Sequence, residues 1–333
     1  MKPEKPAAET DREPNAPHPR ETLSFVGHDA EEAALAVALT SGRMHHAWLL
    51  AGSKGLGKAT LAYRFARAAL GAKHLGPRPL DVDPDDVVAR RIAALSHPDL
   101  FVLRRGLNDR GKPRREITVD DARDLGAFFS LAPSEGGMRV AIIDCVDDLN
   151  RNAANAILKT LEEPPARSVL LLVCHAPGAA LATIRSRCRR LALRSVGDDL
   201  VRAAMGARTD EALVKLAKGR PGRAIALKAQ GVDAAGAKLD RAQSVILRGE
   251  AASVLGALYE QMSGEPFERL DGVLELAGEW ARAAGVEQGG EHWAEAWSAL
   301  ETLRWEAEGL DMDPRHALAR AVGMLDRAAA ARR

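Results

Sequence analysis

Ala47-Trp48-Leu49-Leu50-Ala51, followed at once by Gly52-Ser53-Lys54-Gly55-Leu56-Gly57-Lys58-Ala59-Thr60, is the stretch that decides the fold. The first five residues form a short apolar run of strand length. From Lys58 to Leu70 the spacing changes, and Leu61, Phe65, Ala66, Ala69 and Leu70 fall on one helical face. Strand, glycine-rich turn and helix, in that order, open a parallel α/β sheet. The turn has the frame G-x-x-x-x-G-K of a phosphate loop. Gly52, Gly55 and Gly57 let successive backbone N–H groups turn inward around phosphate oxygens. The helix start adds a positive dipole end, and Lys58 would neutralise phosphate charge. One part is missing: where Ser or Thr normally ligates Mg²⁺ the chain has Ala59, and Thr60 points about 100° further round the helix. A loop kept only for its turn geometry is the competing reading.

Working outward, Arg139-Val140-Ala141-Ile142-Ile143-Asp144 fits a strand whose terminal carboxylate faces the phosphate loop from the neighbouring strand. ATPases of this kind carry a glutamate next, to orient the attacking water; here the residue is Cys145. Leu100–Leu103 and Val169–Cys174 also read as strands. Between and around the strands, Ala30–Leu39, Asp85–Leu95, Thr118–Phe129 and Asn150–Glu162 read as helices, and Ala182–Arg187 as a short helix or turn. Strands separated by helices imply right-handed crossovers and one parallel sheet. After about Val196 the strand signals vanish. Asp198–Met205, Asp210–Lys218, Pro221–Ala229 and longer helices from Ala237 onward make an all-helical second half. There, Trp293, Trp297 and Leu300 at helical spacing read as core, and Gly285–Gly290 as a loop between helices. Met1–Arg20, with Pro3, Pro6, Pro14, Pro17 and Pro19 among charges, reads as a flexible arm.

The chain has 333 residues, which gives an expectation of two or three domains. Forty-seven Lys+Arg against forty-six Asp+Glu leave a formal charge of +1, which excludes the global basic excess of a dedicated nucleic-acid coat. Aromatics are few, and Ala and Leu fill the apolar positions, which favours helix. Cys145, Cys174 and Cys188 are odd in number and lack close spacing, so they provide neither a disulfide framework nor a four-cysteine zinc site. The longest apolar run has strand length, and the start carries no apolar stretch for a signal peptide, so the cytoplasm is expected. Ile184-Arg185-Ser186-Arg187-Cys188-Arg189-Arg190 concentrates four arginines. A solvated basic turn, a DNA-backbone contact and an arginine finger are all open to such a run on charge alone.

The run Leu149-Asn150-Arg151-Asn152-Ala153-Ala154-Asn155-Ala156-Ile157-Leu158-Lys159-Thr160-Leu161-Glu162-Glu163-Pro164-Pro165 lies between the phosphate loop and Ser186-Arg187-Cys188. In that setting it resembles the AAA+ clamp loaders of bacterial DNA replication. Ser96-His97-Pro98-Asp99-Leu100 is similar to a strand start of the same family. By motif the resemblance covers about Thr22 to Gln230, and the helical remainder matches in length and order only. It implies a flexible arm over 1–21, a RecA-like AAA+ domain with a parallel sheet over 22–195, a small helical lid over 196–231 and a helical collar for oligomerisation over 232–333.

Several departures from the family's motor pattern bear on role. Ala59 and Cys145 replace the metal ligand and the base, Cys174 stands at the sensor-1 threonine, and Gly222 aligns with the sensor-2 arginine, with Arg223 one residue late. The family's four-cysteine zinc knuckle is absent, since residues 71–96 contain no cysteine, so a zinc-free hairpin or helix is expected there. These departures resemble the delta-prime kind of subunit rather than the gamma/tau motor. The resemblance then implies Arg187 as an arginine finger acting in trans. It also implies a degenerate nucleotide site of Gly52, Gly55, Gly57, Lys58, Thr60 and Asp144, with weak ATP binding, no required cofactor and no zinc. The implied partners are gamma/tau and delta subunits, and, through the complex, the sliding clamp and primer-template DNA, with no membrane. On this reading the chain has no ATPase alone and is part of the DNA polymerase III holoenzyme. The alternatives are an ATP-hydrolysing gamma/tau-type motor, an independent P-loop ATPase or kinase, and a DNA-binding protein acting alone.

Overall fold

The computed structural model describes residues 11–12, 16–108, 113–135, 137–176, 181–206, 209–229, 245–246, 249–262, 266–288, 291–309 and 312–331. They belong to two compact units. The first is mainly Pro17–Gly206 with Lys218–Arg223, and the second mainly Ala207–Ala217 with Ala224–Arg333.

The first unit is built on five parallel strands: β1 (Ala47–Ala51), β2 (Leu100–Arg104), β3 (Arg139–Asp144), β4 (Ser168–Cys174) and β5 (Arg189–Ala192). Their order across the sheet is β2-β3-β4-β1-β5. All of β1 is buried, because helices cover both faces of the sheet, and this is why its sequence is apolar without alternation. Trp48 and Leu50 face one core, with Leu61, Phe65, Val140 and Ile142. Ala47, Leu49 and Ala51 face the other, with Leu125, Ile143, Ile157 and Leu172. Among the described residues the unit carries seven α-helices: α1 (Asp29–Thr40), α2 (Lys58–Ala69), α3 (Val87–Ala93), α4 (Val119–Ser130), α5 (Arg151–Glu162), α6 (Ala182–Arg187) and α7 (Asp198–Met205). Local chemistry sets their ends. Asn150 caps α5 by accepting from the Ala153 N–H at 2.8 Å, and Pro164-Pro165 follow its last residue. Thr118 and Asp121 form a capping box at α4. Asp99 of the His-Pro-Asp turn is buried, and its carboxylate accepts from the N–H groups of Ser134 and Glu135.

Three expectations change in this unit. β3 is not the neighbour of β1, since β4 lies between them. Arg189 and Arg190, read as part of a basic turn, are strand residues: β5 pairs with β1 from Trp48↔Arg189 to Ala51↔Ala192. The strand was hidden because it is a sheet edge, where only alternate residues, Leu191 and Leu193, are buried. The described end of the arm is not free either. His18 is fully buried, Arg20 Nε donates to the Ala93 carbonyl at 2.8 Å, and Arg67 donates to the Arg20 carbonyl. The polar groups of this Pro-rich segment find partners on α2 and α3, which composition alone does not reveal.

Where a hairpin or helix without zinc is expected, His74 and Val82 form an antiparallel bridge and α3 follows. Ion pairs tie this segment down. Arg78 reaches Glu32 at 2.5 Å and Asp29 at 2.8 Å on α1, and Arg64 of α2 reaches both Glu32 and Asp81 at 2.6 Å. Glu32 and Arg64 are both buried.

The second unit is helical: α8 (Glu211–Ala217), α9 (Pro221–Ala229, shared at its start with the first unit), α10 (Ala251–Gln261), α11 (Pro266–Gln288), α12 (Glu291–Gly309) and α13 (Pro314–Ala330). Residues expected in the lid over 196–231 contribute to both units. Residues 232–244 of the expected collar lie outside the described residues. Arg304 of α12 binds Asp271 of α11 through two N–H groups, at 2.8 and 2.9 Å, with Glu275 and Glu301 nearby. These acids hold its guanidinium well above its ordinary value against the opposing effect of burial. Trp293 and Leu300 are core as expected, but Trp297 is 41% exposed, at the edge of the α11 seam over Gly278. The loop expected at Gly285–Gly290 is mostly helix, because α11 runs on to Gln288. A Cβ at Gly285 would lie 3.4 Å from the Trp293 Cβ, so this glycine permits close approach of α11 and α12. Among the described residues no helix is long and apolar enough to cross a membrane.

Removing one partner from a buried ion-pair network leaves a charge uncompensated, at a cost of about 3–5 kcal/mol. Glu32→Ala is therefore expected to lower the stability of the α/β unit by roughly that amount. Arg123→Ala, which breaks an exposed pair with Asp120, should change it by less than about 0.5 kcal/mol. Urea unfolding of the three proteins checks this, and equal effects would be inconsistent with a network that fastens the hairpin.

Candidate functional site

The glycines of the loop after β1 are required by geometry. Gly52, Gly55 and Gly57 have φ of 149°, 85° and 86°, and a Cβ on Gly52 would lie 2.4 Å from the Leu193 carbonyl oxygen. The loop delivers the chain into α2 with Lys58 as its first residue. Lys58 is buried, and its Nζ donates to the carbonyls of Gly52 at 2.6 Å and Ser53 at 2.7 Å. Burial lowers its pKa to about 8, against the pull of Asp144 and other groups nearby. The Gly55 carbonyl accepts from the Gly222 N–H at 2.8 Å. A Cβ at Gly222 would stand 3.0 Å from that same oxygen, so the close approach of Gly222 to the loop favours the smallest residue there. Thr60 is half-buried one residue beyond Ala59.

At the end of β3 sits Asp144, whose carboxyl is pushed up to about 7 by burial, with Asp11 and Asp148 adding to the shift and Lys58 opposing it. Cys145 follows, buried, its thiol pushed well above the ordinary range by desolvation and the surrounding acids. A neutral thiol there cannot take the part of a carboxylate that orients water. Cys174, at the end of β4, is likewise buried and pushed up to about 12. Its Sγ lies 3.7 Å from Asp147, which also accepts from the backbone N–H groups of His175 at 2.6 Å and Ala176 at 2.9 Å. Asp147 thus ties down the strand end where a sensor threonine was expected. The donor set suits a phosphate, through the loop and Lys58. For magnesium it lacks the hydroxyl at Ala59, and its carboxylate titrates near neutrality. Among the described residues no three His, Cys, Asp or Glu side chains group as a metal site.

Two residues here escape motif reading. Asp147 gives no signal except a position soon after β3. Asp11 lies in the arm, yet it is buried, accepts from Arg104 at the end of β2 and lies 3.2 Å from His18 Nε2. It is the second contributor to the raised Asp144.

Arg187 stands apart. It is the last residue of α6, half-buried, with Nη2 2.7 Å from Glu162 Oε1 and Nη1 donating to the Thr183 carbonyl at 3.0 Å. Because β1 and β5 are parallel, Arg187 lies at the end of the sheet where β1 begins, whereas the phosphate loop follows the end where β1 finishes. A strand of this length spans roughly 15 Å. Gly52, Gly55, Gly57, Lys58, Thr60 and Asp144 therefore gather at one end of the sheet, and Arg187 does not join them. The rest of the arginine run divides as well: Arg189 lies over the Trp48 ring at 4.8 Å, and Arg190 is exposed on β5.

A family model described as DNA polymerase III, delta subunit, matches residues 27–197, just over half of the chain. The chain is similar to the DNA polymerase III subunit delta' of Pseudomonas aeruginosa, 38% identical over 143 residues that cover 43% of this chain and 41% of that protein. It is also similar to DNA polymerase III subunit tau of Salmonella typhimurium, 33% identical over 55% of this chain and 27% of that one. The chain thus spans about two fifths or less of the length of these relatives. A DNA polymerase III gamma subunit-related protein of Thermotoga maritima aligns over 90% of this chain and 99% of its own, at 16% identity and a TM-score of 0.47. The family match takes in the phosphate loop, the Leu149–Pro165 run and the Ser-Arg-Cys turn together, and the chain belongs to the DNA polymerase III delta subunit family as a delta-prime-like clamp-loader subunit.

Proposed function

We propose that the chain assembles with gamma/tau motor subunits and a delta subunit into a clamp loader, keeps a nucleotide site that does not turn over, and supplies Arg187 to the nucleotide of the adjacent motor subunit. The complex would place the sliding clamp on primer-template DNA in the cytoplasm as part of the DNA polymerase III holoenzyme. One observation carries the reading: Arg187 and Lys58 lie at opposite ends of one parallel sheet. A finger in that position cannot complete its own chain's site. It can complete a site that another subunit presents.

The chemistry asked of Arg187 suits its side chain. A guanidinium is permanently charged and forked, so it can bond two oxygens of a γ-phosphate as negative charge redistributes in the transition state. On the other side, the chain's own loop offers N–H groups and Lys58 to a phosphate, while Ala59 and Cys145 supply neither the metal hydroxyl nor the water-orienting carboxylate. ATP would bind weakly there and stay intact. The gamma/tau-type reading draws on the intact glycine frame and on Lys58, but it needs oxygen ligands at the two positions that carry a methyl and a thiol.

The isolated chain is expected to show no steady ATP turnover above that of Lys58→Ala, and turnover that this substitution abolishes would overturn the idea of a silent site.

In the reconstituted complex, Arg187→Ala should leave assembly intact and reduce DNA- and clamp-stimulated ATPase. The loss should reach on the order of 10³ at the one site it completes and be partial for the whole complex. Arg187→Lys should not restore the rate, because a point charge lacks the fork. Arg190→Ala should do much less. Equal losses from the two alanine variants, vanishing at low salt, would mark a DNA-backbone patch instead.

The raised carboxyl of Asp144 gives a pH signature. Its folded pKa of about 7 exceeds the ordinary 3.8, so between those values the folded chain holds a proton that the unfolded chain releases. Stability should therefore fall as pH rises through that window. Asp144→Asn removes the effect. Urea unfolding should find the variant close to the parent near pH 4 and more stable by about 2–4 kcal/mol at pH 8. Parallel pH curves for the two proteins would contradict a carboxyl buried against its neighbours.

A further inference from the structure

Resting on the reading of Arg187 as a finger, we infer that Glu162 is its positioning residue: the carboxylate at the end of α5 holds the guanidinium in place until a phosphate displaces it. Each terminal nitrogen of the fork has a partner, Nη2 at Glu162 Oε1 and Nη1 at the Thr183 carbonyl, while about a third of the side chain remains exposed. The two helices that carry the pair are joined beneath it. Ile184 of α6 is buried in the same core as Ile157 and Leu161 of α5, so the bases of Arg187 and Glu162 cannot drift apart. Pro164-Pro165 end α5 just beyond Glu162, which fixes where its last carboxylate stands.

Stability does not account for an acid at this position. Glu162 occupies the last turn of α5, where the negative end of the helix dipole disfavours an anion. An ion pair this exposed also contributes little to folding. What the contact does supply is order: a long, free arginine side chain visits many rotamers, and each must be given up when the finger engages. A single carboxylate is also a weak competitor for a multiply charged phosphate, so the hold is released when the neighbouring site offers one.

The test uses the complex reconstituted with its motor and delta subunits, single-turnover ATP hydrolysis with clamp and primed DNA, and a melting curve for each variant. Glu162→Ala is expected to slow the finger-dependent step by about three- to tenfold. Glu162→Gln, which keeps an oxygen acceptor, should recover most of the rate, and Glu163→Ala should match the parent. Glu162→Lys is the sharper case: it suits the helix dipole, so it should melt no lower than the parent, yet it repels Arg187 and should be slower than the alanine variant. With Arg187→Ala in place, Glu162→Ala should have no further effect. A parent-like rate for either Glu162→Ala or Glu162→Lys would overturn the inference, as would an equal slowing by Glu162→Ala in the Arg187→Ala background. If Arg187→Ala itself runs at the parent rate, the finger reading falls and this inference falls with it. A slow Arg187→Ala beside a parent-like Glu162→Ala would sink the positioning role alone.

Discussion

All five strands of the α/β unit point the same way, and that polarity governs where every functional group can be. In a parallel sheet the loops that leave the strands collect at one end and those that enter them collect at the other. Gly52–Lys58 and Asp144 leave strands, while Arg187 precedes one and Glu162 ends the helix before another. The apolar interior of β1 sets this distance, because five residues buried on both faces cannot bend to bring the two ends together. Groups at the two ends of such a unit are therefore kept apart within one chain.

At the loop end, charge is buried without a strong partner of opposite sign, and the shifts of Lys58 and Asp144 record it. Each moves towards its neutral form, Lys58 to about 8 and Asp144 to about 7, because burial outweighs their mutual attraction. The packing around them is close. Lys58 donates to two carbonyls of its own loop, and Gly222 binds the outward carbonyl of Gly55. The glycine frame stands where a side chain would collide, as the close fit of Gly52 beside Leu193 shows, while the flanking positions 59 and 145 carry a methyl and a thiol.

The central architecture was readable in the residues because long apolar runs and capped helices carry their own signals. Asn150 with its cap, the Pro164-Pro165 stop and the phosphate loop each name a local structure without help from the rest of the chain. What escaped depends on distant partners. β5 is an edge strand whose arginines look like a turn until Trp48 is placed beneath Arg189. Asp11 looks like part of a solvated arm until Arg104 and His18 reach it. The intervening β4 is a matter of strand order, which local pattern does not encode. Trp297 has the spacing of a core residue, but it lies beside Gly278, which has no side chain to cover it, and it stays 41% exposed.

The segment between α2 and β2 is held by ion pairs to neighbouring helices more than by its own pairing. Its sequence has no cysteine to hold a metal, and a short hairpin with one isolated bridge is marginal alone. Arg64 and Arg78 fasten it, each spanning from the hairpin or α2 to the buried Glu32 of α1. Such pairs are geometrically exacting, since each buried charge must be met by another. These arginines bind α1, α2 and the hairpin to one another. The result ties the hairpin to the helix that begins with Lys58, so the packing that holds this segment also holds the phosphate loop.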